Sequence, residues 1–536
     1  MATEHGISTV SCSDGTSSTL TGAAGDQGAA GDQGAAGDQG AAGPEGPPGK
    51  DGAEGPEGAK GSTGADGVKG ATGADGTAGP AGGVGPAGET GPEGYSAHVP
   101  NPYDGAVGYV NSEWSDNVKA AATATSDATL AQQISAISDT STAVWLSKIG
   151  DIAGSVVHRG LRAHLDAALA QSEAKHRVVV VTLVAYDLPN RDCASSASAG
   201  ELTVQADGLN RYKQEFIDPI TAIVVDPKYR PLRIVTVIEP DSIPNLVTNV
   251  GLTPALPRCE EAKTSKAYEQ GVQYALNQLH PIPNLYLFAD IGQPAWLGWK
   301  LAAPGTALST YFDILSNTDS GVHSIDGIVA DVSNYVPLSE PFLSAPFLLD
   351  PSIYLGVPGA WDGVTGGPVV SASFYAWNPY IDTQSYASAF RDGLVALGFP
   401  STLSILIDTG RNGWGGSARP AGVVPPADPT TITPSAFVDE NRIDLRAARS
   451  LWCNQAGAGL GERPRVWPSA TVAAYVWVKP PGESDGTSDT ATVTDPSLAD
   501  PMCSVANGAI AASPPAGQWF EQQFEQLVKN AYPPIN

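Results

Sequence analysis

The sequence predicts a large α/β domain that follows a fibrous N-terminal segment. Glycine occupies every third position from Gly22 to Gly94, which makes 25 glycines in unbroken register. After residue 96, continuous apolar runs alternate with amphipathic helical patterns over 440 residues, ample length for a large core. Continuous apolar runs are typical of parallel strands that are buried on both faces. The alternation favours a β/α barrel or an open doubly wound sheet.

The glycine period divides the chain into a short segment 1–21, a Gly-X-Y repeat 22–96 and a globular domain 97–536. Collagen requires glycine at every third residue because only glycine fits the crowded axis of three wound chains. A flexible linker is the alternative, but a linker has no reason to keep a strict period through 25 repeats. The repeat therefore predicts a triple helix, and with it a homotrimer that carries three globular domains.

Six apolar runs in the globular domain predict buried strands. They lie at 178–186, 234–238, 285–289, 328–332, 403–407 and 473–478. Two stretches between these runs have apolar residues at helical spacing. The first comprises Val157, Leu161, Leu165, Ala168 and Leu169, and the second comprises Tyr268, Val272, Ala275, Leu276 and Leu279. We expect a helix at each place.

Carboxylates follow every one of the predicted strands. They are Asp187, Asp192, Glu239, Asp241, Asp290, Asp331, Asp408 and Asp485. A single acid at a strand end means little, because Asp is a common helix cap. In a β/α barrel, however, the carboxyl ends of the strands form the face that carries the active site. A set of acids at this face predicts an acidic cleft.

Tryptophans occur at or just past the same strand ends. They are Trp145, Trp296, Trp299, Trp377 and Trp452. Core packing is the ordinary role of this residue, but Trp296 and Trp299 lie in a loop rich in Gly and Pro, which indicates exposure. Flat pyranose faces stack on indole rings, and cleavage of a glycosidic bond needs two carboxyl groups that flank it. The pattern therefore favours a sugar polymer as substrate.

The composition excludes several other classes of function. The net charge is −27, from 56 acidic and 29 basic residues, which argues against binding to nucleic acid or anionic lipid. No apolar run reaches the roughly 18 residues that a transmembrane helix needs. The globular domain has no GxxxxGK[ST], no GxGxxG after a strand, no HExxH and no CxxC pair. We therefore expect neither a cofactor nor a metal site.

Seven blocks of the globular domain resemble glycoside hydrolase family 6, the family of cellobiohydrolase II and related endoglucanases. In chain order they are YDLPNRDC (186–193), VIEPDSIPNLVTN (237–249), DIGQPAWLGW (290–299), VSNY (332–335), DTGRNGWGG (408–416), WCNQAG (452–457) and WVKPPGESDG (477–486). The resemblance implies a distorted, TIM-like β/α barrel with about seven parallel strands. It also implies hydrolysis of β-1,4-glucosidic bonds with inversion at the anomeric carbon.

The resemblance assigns roles to three carboxylates. Asp241 matches the general acid, whose pKa must be raised for it to hold a proton near neutral pH. Asp192 matches the partner that raises this pKa and supports the charge that develops on the sugar. Asp485 occupies the usual position of the base, although activation of the water by a relay near Asp192 is the alternative.

Further positions match residues of the family that bind the substrate. They are Tyr186, Arg191, Ser198, Trp145, Asp290, Trp296, Trp299, Asn334, Trp452, Lys479 and Glu483. Among these, Tyr186 is expected to help distort the sugar, and Arg191 to hold Asp192 or Asp485. Two positions depart from the pattern: Gln293 replaces a His, and Ser147 replaces an Asp near Trp145.

Loop lengths favour exo action. Exo-acting members of the family cover the cleft with two long loops, and both the stretch 193–212 and the stretch 486–502 are long here. The insertion 417–450 also resembles bacterial exo-acting enzymes. We expect a cellobiohydrolase that releases cellobiose, with an endo-acting glucanase and a non-catalytic glucan-binding fibre as the alternatives.

The five cysteines are Cys12, Cys193, Cys259, Cys453 and Cys503. The resemblance implies disulfides Cys193–Cys259 and Cys453–Cys503, whereas four reduced buried thiols are the alternative. Cys12 is left over, and either a free thiol or an interchain bond remains open. Disulfides indicate an oxidising destination. The first residues show no recognisable signal peptide, so we expect an extracellular protein or one displayed on a cell or virus particle.

Overall fold

The computed structural model describes residues 3–4, 7–11, 17–21, 98–301, 306–343, 367–424 and 433–536. The Gly-X-Y repeat and Cys12 lie outside the described residues, so the predicted triple helix is not part of this description. The chain divides into two compact units, residues 1–81 and 82–536. In the first unit, three short strands form an antiparallel sheet in the order β1-β2-β3: β1 (Thr3–Glu4), β2 (Ile7–Ser11) and β3 (Ser17–Thr21). This small sheet was not predicted from the sequence.

The second unit is built on one curled sheet of nine strands. They are β4 (Val107–Gly108), β5 (Val144–Leu146), β6 (Val179–Ala185), β7 (Arg233–Ile238), β8 (Leu285–Asp290), β9 (Gly327–Ala330), β10 (Ser404–Asp408), β11 (Arg465–Val466) and β12 (Val472–Val476). The order is β11-β12-β10-β9-β8-β7-β6-β4, and β5 also pairs with β6. All neighbours are parallel except β11 and β12.

The predicted distorted barrel of about seven parallel strands is confirmed. β5 to β10 and β12 make seven, and the short β4 and the antiparallel β11 are additions. The sheet is curled, and hydrogen bonds join the region of β5 to the residues that follow β12. Ala143 N donates to Trp477 O at 3.0 Å, and Trp145 Nε1 donates to Val478 O at 2.8 Å. Every residue of the central β6, β7 and β8 is buried, as expected for strands with both faces covered.

In the described part of the chain, fourteen α-helices connect and cover the strands. They are α1 (Ser112–Ala124), α2 (Ala128–Ala136), α3 (Ile149–Ala153), α4 (Leu161–Lys175), α5 (Gly208–Arg211), α6 (Asp218–Val224), α7 (Ser242–Thr248), α8 (Pro257–Thr264), α9 (Ala267–Leu279), α10 (Pro294–Leu297), α11 (Ala307–Ser316), α12 (Thr383–Ala396), α13 (Pro434–Asn441) and α14 (Glu521–Lys529). The five apolar residues predicted on one face of α9 are all buried in the main core.

One predicted helix begins later than expected. The pattern placed Val157 on the face of α4, but the helix begins at Leu161 and the Val157 side chain is 73% exposed. The chain makes a tight turn before the helix, in which a Cβ on Gly160 would lie 2.3 Å from Ala153 O. Only glycine fits where the chain passes this close to Ala153, so the helix begins after Gly160 although the apolar spacing continues on both sides of it.

Two disulfides close the loops beyond the strand ends. Cys193 bonds to Cys259, and Cys453 bonds to Cys503, in agreement with the pairing implied by the resemblance. The first bond fastens the loop after β6 to α8. The second fastens the long loop after β12 to the segment that contains Trp452. Both bonds therefore lie beside the edge of the sheet at which the predicted acids cluster.

Candidate active site

A cavity of about 500 Å³ lies at the carboxyl ends of the strands. Twelve of the fourteen predicted catalytic and substrate-binding residues line it. They are Trp145, Tyr186, Arg191, Asp192, Ser198, Asp241, Trp296, Asn334, Trp452, Lys479, Glu483 and Asp485. Asp290 and Trp299 are not among the lining residues. The topology explains the convergence, because parallel strands bring all their carboxyl ends to one edge of the sheet.

Asp241 follows β7 and precedes α7 with a left-handed backbone at φ 65°. Burial raises the pKa of its carboxyl well above the usual value, and the charges of Asp192 and Asp290 raise this pKa further. A left-handed non-glycine residue costs on the order of 1–3 kcal/mol and is typical of functional sites. Asp241 therefore lines the cavity with a carboxyl whose pKa is raised, which is the property that a general acid needs.

Asp192 also has a left-handed backbone, at φ 43°. Ser198 Oγ donates to its Oδ2, and Asn245 Nδ2 donates to its Oδ1 at 3.4 Å. Burial raises the pKa of the Asp192 carboxyl, while these two hydrogen bonds and the nearby Arg258 and Arg191 act to lower it. Donors to both oxygens orient this carboxyl and support its ionised form more than that of Asp241.

Asp485 also lines the cavity and forms a buried ion pair. Arg411 Nη1 donates to both carboxylate oxygens at 2.7 Å, and Tyr335 OH and Asn454 N donate at 2.9 and 2.8 Å. Three groups thus hold the carboxylate in place. Arg191 is expected to hold Asp192 or Asp485, but the arginine paired with Asp485 is Arg411.

Arg191 instead ties together the loop beside Asp192. It donates to the carbonyl oxygens of Ser147, Tyr186 and Ser198, and its guanidinium carbon lies 4.5 Å from the centre of the Tyr186 ring. These hydrogen bonds join the residue after β5 to the loop after β6. A planar group with several fixed donors suits this bridging of three carbonyls. Its effect on Asp192 is electrostatic rather than a direct hydrogen bond.

Asp290 lies behind Asp241 rather than in the cavity wall. Its Oδ2 accepts a hydrogen bond from Asp241 N at 2.9 Å, and Oδ1 has no partner among the described residues. Burial raises the pKa of the Asp290 carboxyl to about 7. Asp290, the last residue of β8, therefore contacts the backbone of the predicted acid. It is not among the residues that line the cavity, and its binding to substrate stays a prediction.

Aromatic and charged side chains form one wall of the cavity. Trp145 packs edge-on against Tyr186 with ring centres 5.5 Å apart, and Lys479 Nζ lies 5.3 Å from the Trp145 ring centre. Lys479 Nζ also lies 3.9 Å from Glu483 Oε2. Burial lowers the pKa of the Lys479 ammonium and raises that of the Glu483 carboxyl to about 7. The wall combines an indole with two polar groups, which suits a sugar with one apolar face and a hydroxyl edge.

Among the other predicted residues, Trp296 and Asn334 line the cavity and Trp299 does not. Trp296 Nε1 donates to Thr248 Oγ1 at 2.6 Å, which fixes the indole that lines the cavity. Trp299 is 44% exposed outside the cavity, where its Nε1 donates to Ala376 O. The side-chain oxygen of Asn334 is buried and has no partner among the described residues. One predicted indole thus lines the cavity, and the other lies exposed outside it.

Both positions that depart from the family pattern line the cavity. Gln293 caps α10, because its Oε1 accepts a hydrogen bond from Ala295 N at 2.9 Å. The backbone N–H and the hydroxyl of Ser147 both donate to Asp151 Oδ2. A carboxylate thus remains close to Ser147, although it comes from α3 rather than from this position.

Several polar residues that donate hydrogen bonds to the acids were not predicted from the sequence. Arg411, Tyr335 and Asn454 surround Asp485, and Asn245 contacts Asp192. All four lie within the blocks quoted above, so their positions were visible although their partners were not. Within the described residues, no group of three or more His, Cys, Asp and Glu side chains could hold a metal ion. None of the helices that the structure describes is long and apolar enough to cross a membrane.

The curled parallel sheet has one cleft that contains indoles and carboxyls with raised pKa values, and this combination is typical of a glycoside hydrolase. The chain belongs to Glycosyl hydrolases family 6, which it matches over residues 103–346 and 368–531. Residues 15–73 and 43–101 match the Collagen triple helix repeat. The resemblance found in the sequence is thus confirmed for both parts of the chain.

Individual relatives give the same result. Exoglucanase A of Cellulomonas fimi is 44% identical over 82% of this chain, which spans about half (49%) of the length of that relative. The probable 1,4-beta-D-glucan cellobiohydrolase C of Aspergillus clavatus is 32% identical over 81% of this chain and 76% of its own length. The catalytic domain of Cellulomonas fimi Cel6B superposes with a TM-score of 0.73 at 42% identity, over 82% of this chain and 97% of that domain.

Proposed function

We propose that this chain hydrolyses the β-1,4-glucosidic bonds of cellulose with inversion, acting from chain ends and releasing cellobiose. The observation that carries the proposal is that Asp241, whose pKa is raised by burial, lines the same cleft as Asp192. The names of the relatives above, an exoglucanase and a cellobiohydrolase, support cellulose as the substrate. Inversion comes from the resemblance to the family.

In this mechanism Asp241 donates its proton to the oxygen of the leaving sugar. Burial and the neighbouring carboxyls keep that proton in place until the substrate arrives. As the glycosidic bond breaks, positive charge develops on the sugar ring, and the Asp192 carboxylate stabilises it. Tyr186, which packs against Trp145, contacts the distorted sugar.

The attacking water loses its proton toward the Ser198–Asp192 pair. The hydrogen bond from Ser198 Oγ to Asp192 Oδ2 provides a path for that proton. Asp485 is the other candidate base, but its oxygens already accept hydrogen bonds from Arg411, Tyr335 and Asn454. Because these donors already hold the Asp485 carboxylate, we assign it the orientation of groups around the water and assign the uptake of the proton to the Ser198–Asp192 pair.

Exo action is supported by the two loops that line the cavity from above. Residues 194, 195 and 197–199 come from the loop after β6, and Thr487, Val493 and Leu498 come from the loop after β12. A covered cleft admits a chain end more readily than the middle of a chain. The endo-acting alternative requires that these loops open often enough to admit an internal segment.

Product analysis of the full chain on amorphous cellulose and on a soluble β-1,4-glucan tests this function. We expect cellobiose as the main soluble product and its loss in Asp241→Ala. Early production of long oligosaccharides would favour endo action instead. Binding to cellulose without any turnover would refute the hydrolase and favour the non-catalytic glucan-binding fibre.

We also propose that the Gly-X-Y repeat trimerises the chain and displays three such domains outside the cell. The match of residues 15–101 to collagen repeats and the two disulfides support this arrangement. Three linked domains bind an insoluble polymer more tightly than one because later contacts are intramolecular. Deletion of 22–96 is expected to give a monomer by sedimentation and weaker binding to insoluble cellulose. Equal binding by monomer and full chain would contradict the role in avidity.

A further inference from the structure

The two loops that cover the cleft touch each other through one carboxylate. Asp500 lies in the loop after β12, is only 6% exposed, and points its Oδ2 at the loop after β6. That oxygen accepts hydrogen bonds from Ser195 Oγ at 3.2 Å, from Ser196 N at 2.9 Å and from Ala197 N at 3.4 Å. Three donors from one loop therefore converge on one oxygen of the other loop.

Asp500 is itself held firmly in its own loop. Its Oδ1 accepts a hydrogen bond from Met502 N at 2.9 Å, its N donates to Thr487 O at 2.8 Å, and its O accepts from Cys503 N at 3.0 Å. Cys503 is fixed by the disulfide to Cys453. The carboxylate is thus presented by a rigid turn, which makes it a fixed acceptor rather than a mobile surface charge.

The opposing loop is equally well anchored. Cys193 is bonded to Cys259, and Arg258 Nη1 donates to Ser195 O at 3.0 Å. The two loops also approach closely, because a Cβ on Gly486 would lie 2.4 Å from the Cβ of Ala197. The loops therefore meet at a packed contact in which Asp500 supplies the charged acceptor.

This contact leads directly to the cleft. Ser195 Oγ lies 3.1 Å from Ser198 Oγ, and Ser198 Oγ donates to Asp192. The donors that Asp500 holds are thus in the same short segment as the hydroxyl beside Asp192. Any opening of the contact frees the segment that forms both the roof of the cavity and the neighbour of that carboxyl.

We propose that Asp500 is the latch that keeps the two loops closed over the cleft and so restricts cleavage to chain ends. The latch rests on the proposed function, since chain-end cleavage has meaning only for a hydrolase of a polymer. Asp500 is a positioning residue, because it acts through the opposing loop and touches neither the substrate nor Asp192. Its loss opens the roof, admits internal segments of a glucan and loosens Ser198.

Three variants test the latch, together with a control from the same loop. Asp500→Ala removes the acceptor, whereas Asp500→Asn keeps an acceptor oxygen without the charge. Asp495→Asn is the matched control, because Asp495 also caps a short turn of this loop, through Ser497 N, but is exposed. The third variant, Asp500→Glu, tests the position of the carboxylate at constant charge.

Hydrogen exchange of the Ser196 and Ala197 amides reports directly on the latch. Loss of a charged acceptor is expected to speed their exchange by about tenfold in Asp500→Ala, with Asp500→Asn in between. Exchange in β6 is expected to stay unchanged, which separates local opening from general destabilisation. Unchanged exchange at both amides in the folded variants would overturn the latch. If Asp500→Ala does not fold, the exchange of the same two amides in Asp500→Asn provides the test.

The cleavage pattern reports on the consequence. On amorphous cellulose, we expect Asp500→Ala to raise the ratio of insoluble to soluble reducing ends severalfold. On carboxymethyl cellulose, we expect it to speed the loss of viscosity severalfold. On cellotetraose, KM is expected to rise more than kcat falls, while Asp495→Asn matches the wild type. Faster amide exchange with an unchanged cleavage pattern would show that Asp500 does not restrict cleavage to chain ends. If the wild-type chain hydrolyses no β-1,4-glucan, the proposed function fails, and amide exchange still decides the latch.

Discussion

Replacement of Asp241 by Asn removes the proton that the account assigns to the leaving group, while the size of the side chain hardly changes. Burial raises the pKa of the Asp241 carboxyl well above its usual value, and the charges of Asp192 and Asp290 raise it further, which favours the protonated form that a general acid needs. General acid catalysis contributes about 10²–10⁴ in rate. At about 1.36 kcal/mol for each factor of ten, Asp241→Asn is expected to raise the barrier by about 3–5 kcal/mol.

The assay compares two substrates with different leaving groups. Cellotetraose releases a poor leaving group that needs the proton, so Asp241→Asn is expected to lower kcat by the full factor. A dinitrophenyl β-cellobioside releases a stable phenolate that needs no proton, so its kcat is expected to fall less than about tenfold. Asp290→Asn is the matched control, since it removes a buried carboxyl of the same cluster. Equal losses on both substrates would refute the role of Asp241 as acid.

The rate of hydrolysis is expected to fall as the pH rises through the raised pKa of Asp241, because the acid acts only when protonated. Asp290→Asn removes a negative charge that raises this pKa, so the alkaline limb of the pH–rate profile moves to lower pH, and an unmoved limb would contradict the coupling. Arg411→Met leaves a buried carboxylate unpaired, and urea denaturation is expected to show a loss of about 3–5 kcal/mol in the free energy of unfolding, with a smaller loss for Arg411→Lys. Losses below about 1 kcal/mol would show that water reaches the pair. Removal of the Cys453–Cys503 bond, which joins residues 50 apart, is expected to lower the free energy of unfolding by about 4 kcal/mol, and a loss near zero would contradict the chain-entropy account.

Much of the sheet was predictable because parallel strands buried on both faces leave uninterrupted apolar runs. The runs at 178–186 and 285–289 became β6 and β8 with boundaries shifted by one residue at most. β5 has only three residues and left no such signal. The start of α4 was misjudged because apolar spacing alone takes no account of the close approach at Gly160.

The acids of the cleft were predictable from their places after strands, but their partners were not. Arg411 and Asp485 are 74 residues apart, and Ser195 and Asp500 are 305 residues apart. Which charges meet over such separations depends on the curvature of the sheet and on loop packing, which no local pattern encodes. The same limit explains why the sequence does not show that Arg411, and not Arg191, pairs with Asp485.

The stereochemistry of the first product tests the central claim most directly. Proton NMR of cellotetraose hydrolysis by the wild-type chain, recorded before mutarotation is complete, distinguishes the anomers of newly formed cellobiose. An inverting β-1,4-glucanase with Asp241 as acid is expected to release the α-anomer first, and Asp241→Asn is expected to release almost none. Initial release of the β-anomer, or no hydrolysis by the wild-type chain, would contradict the account.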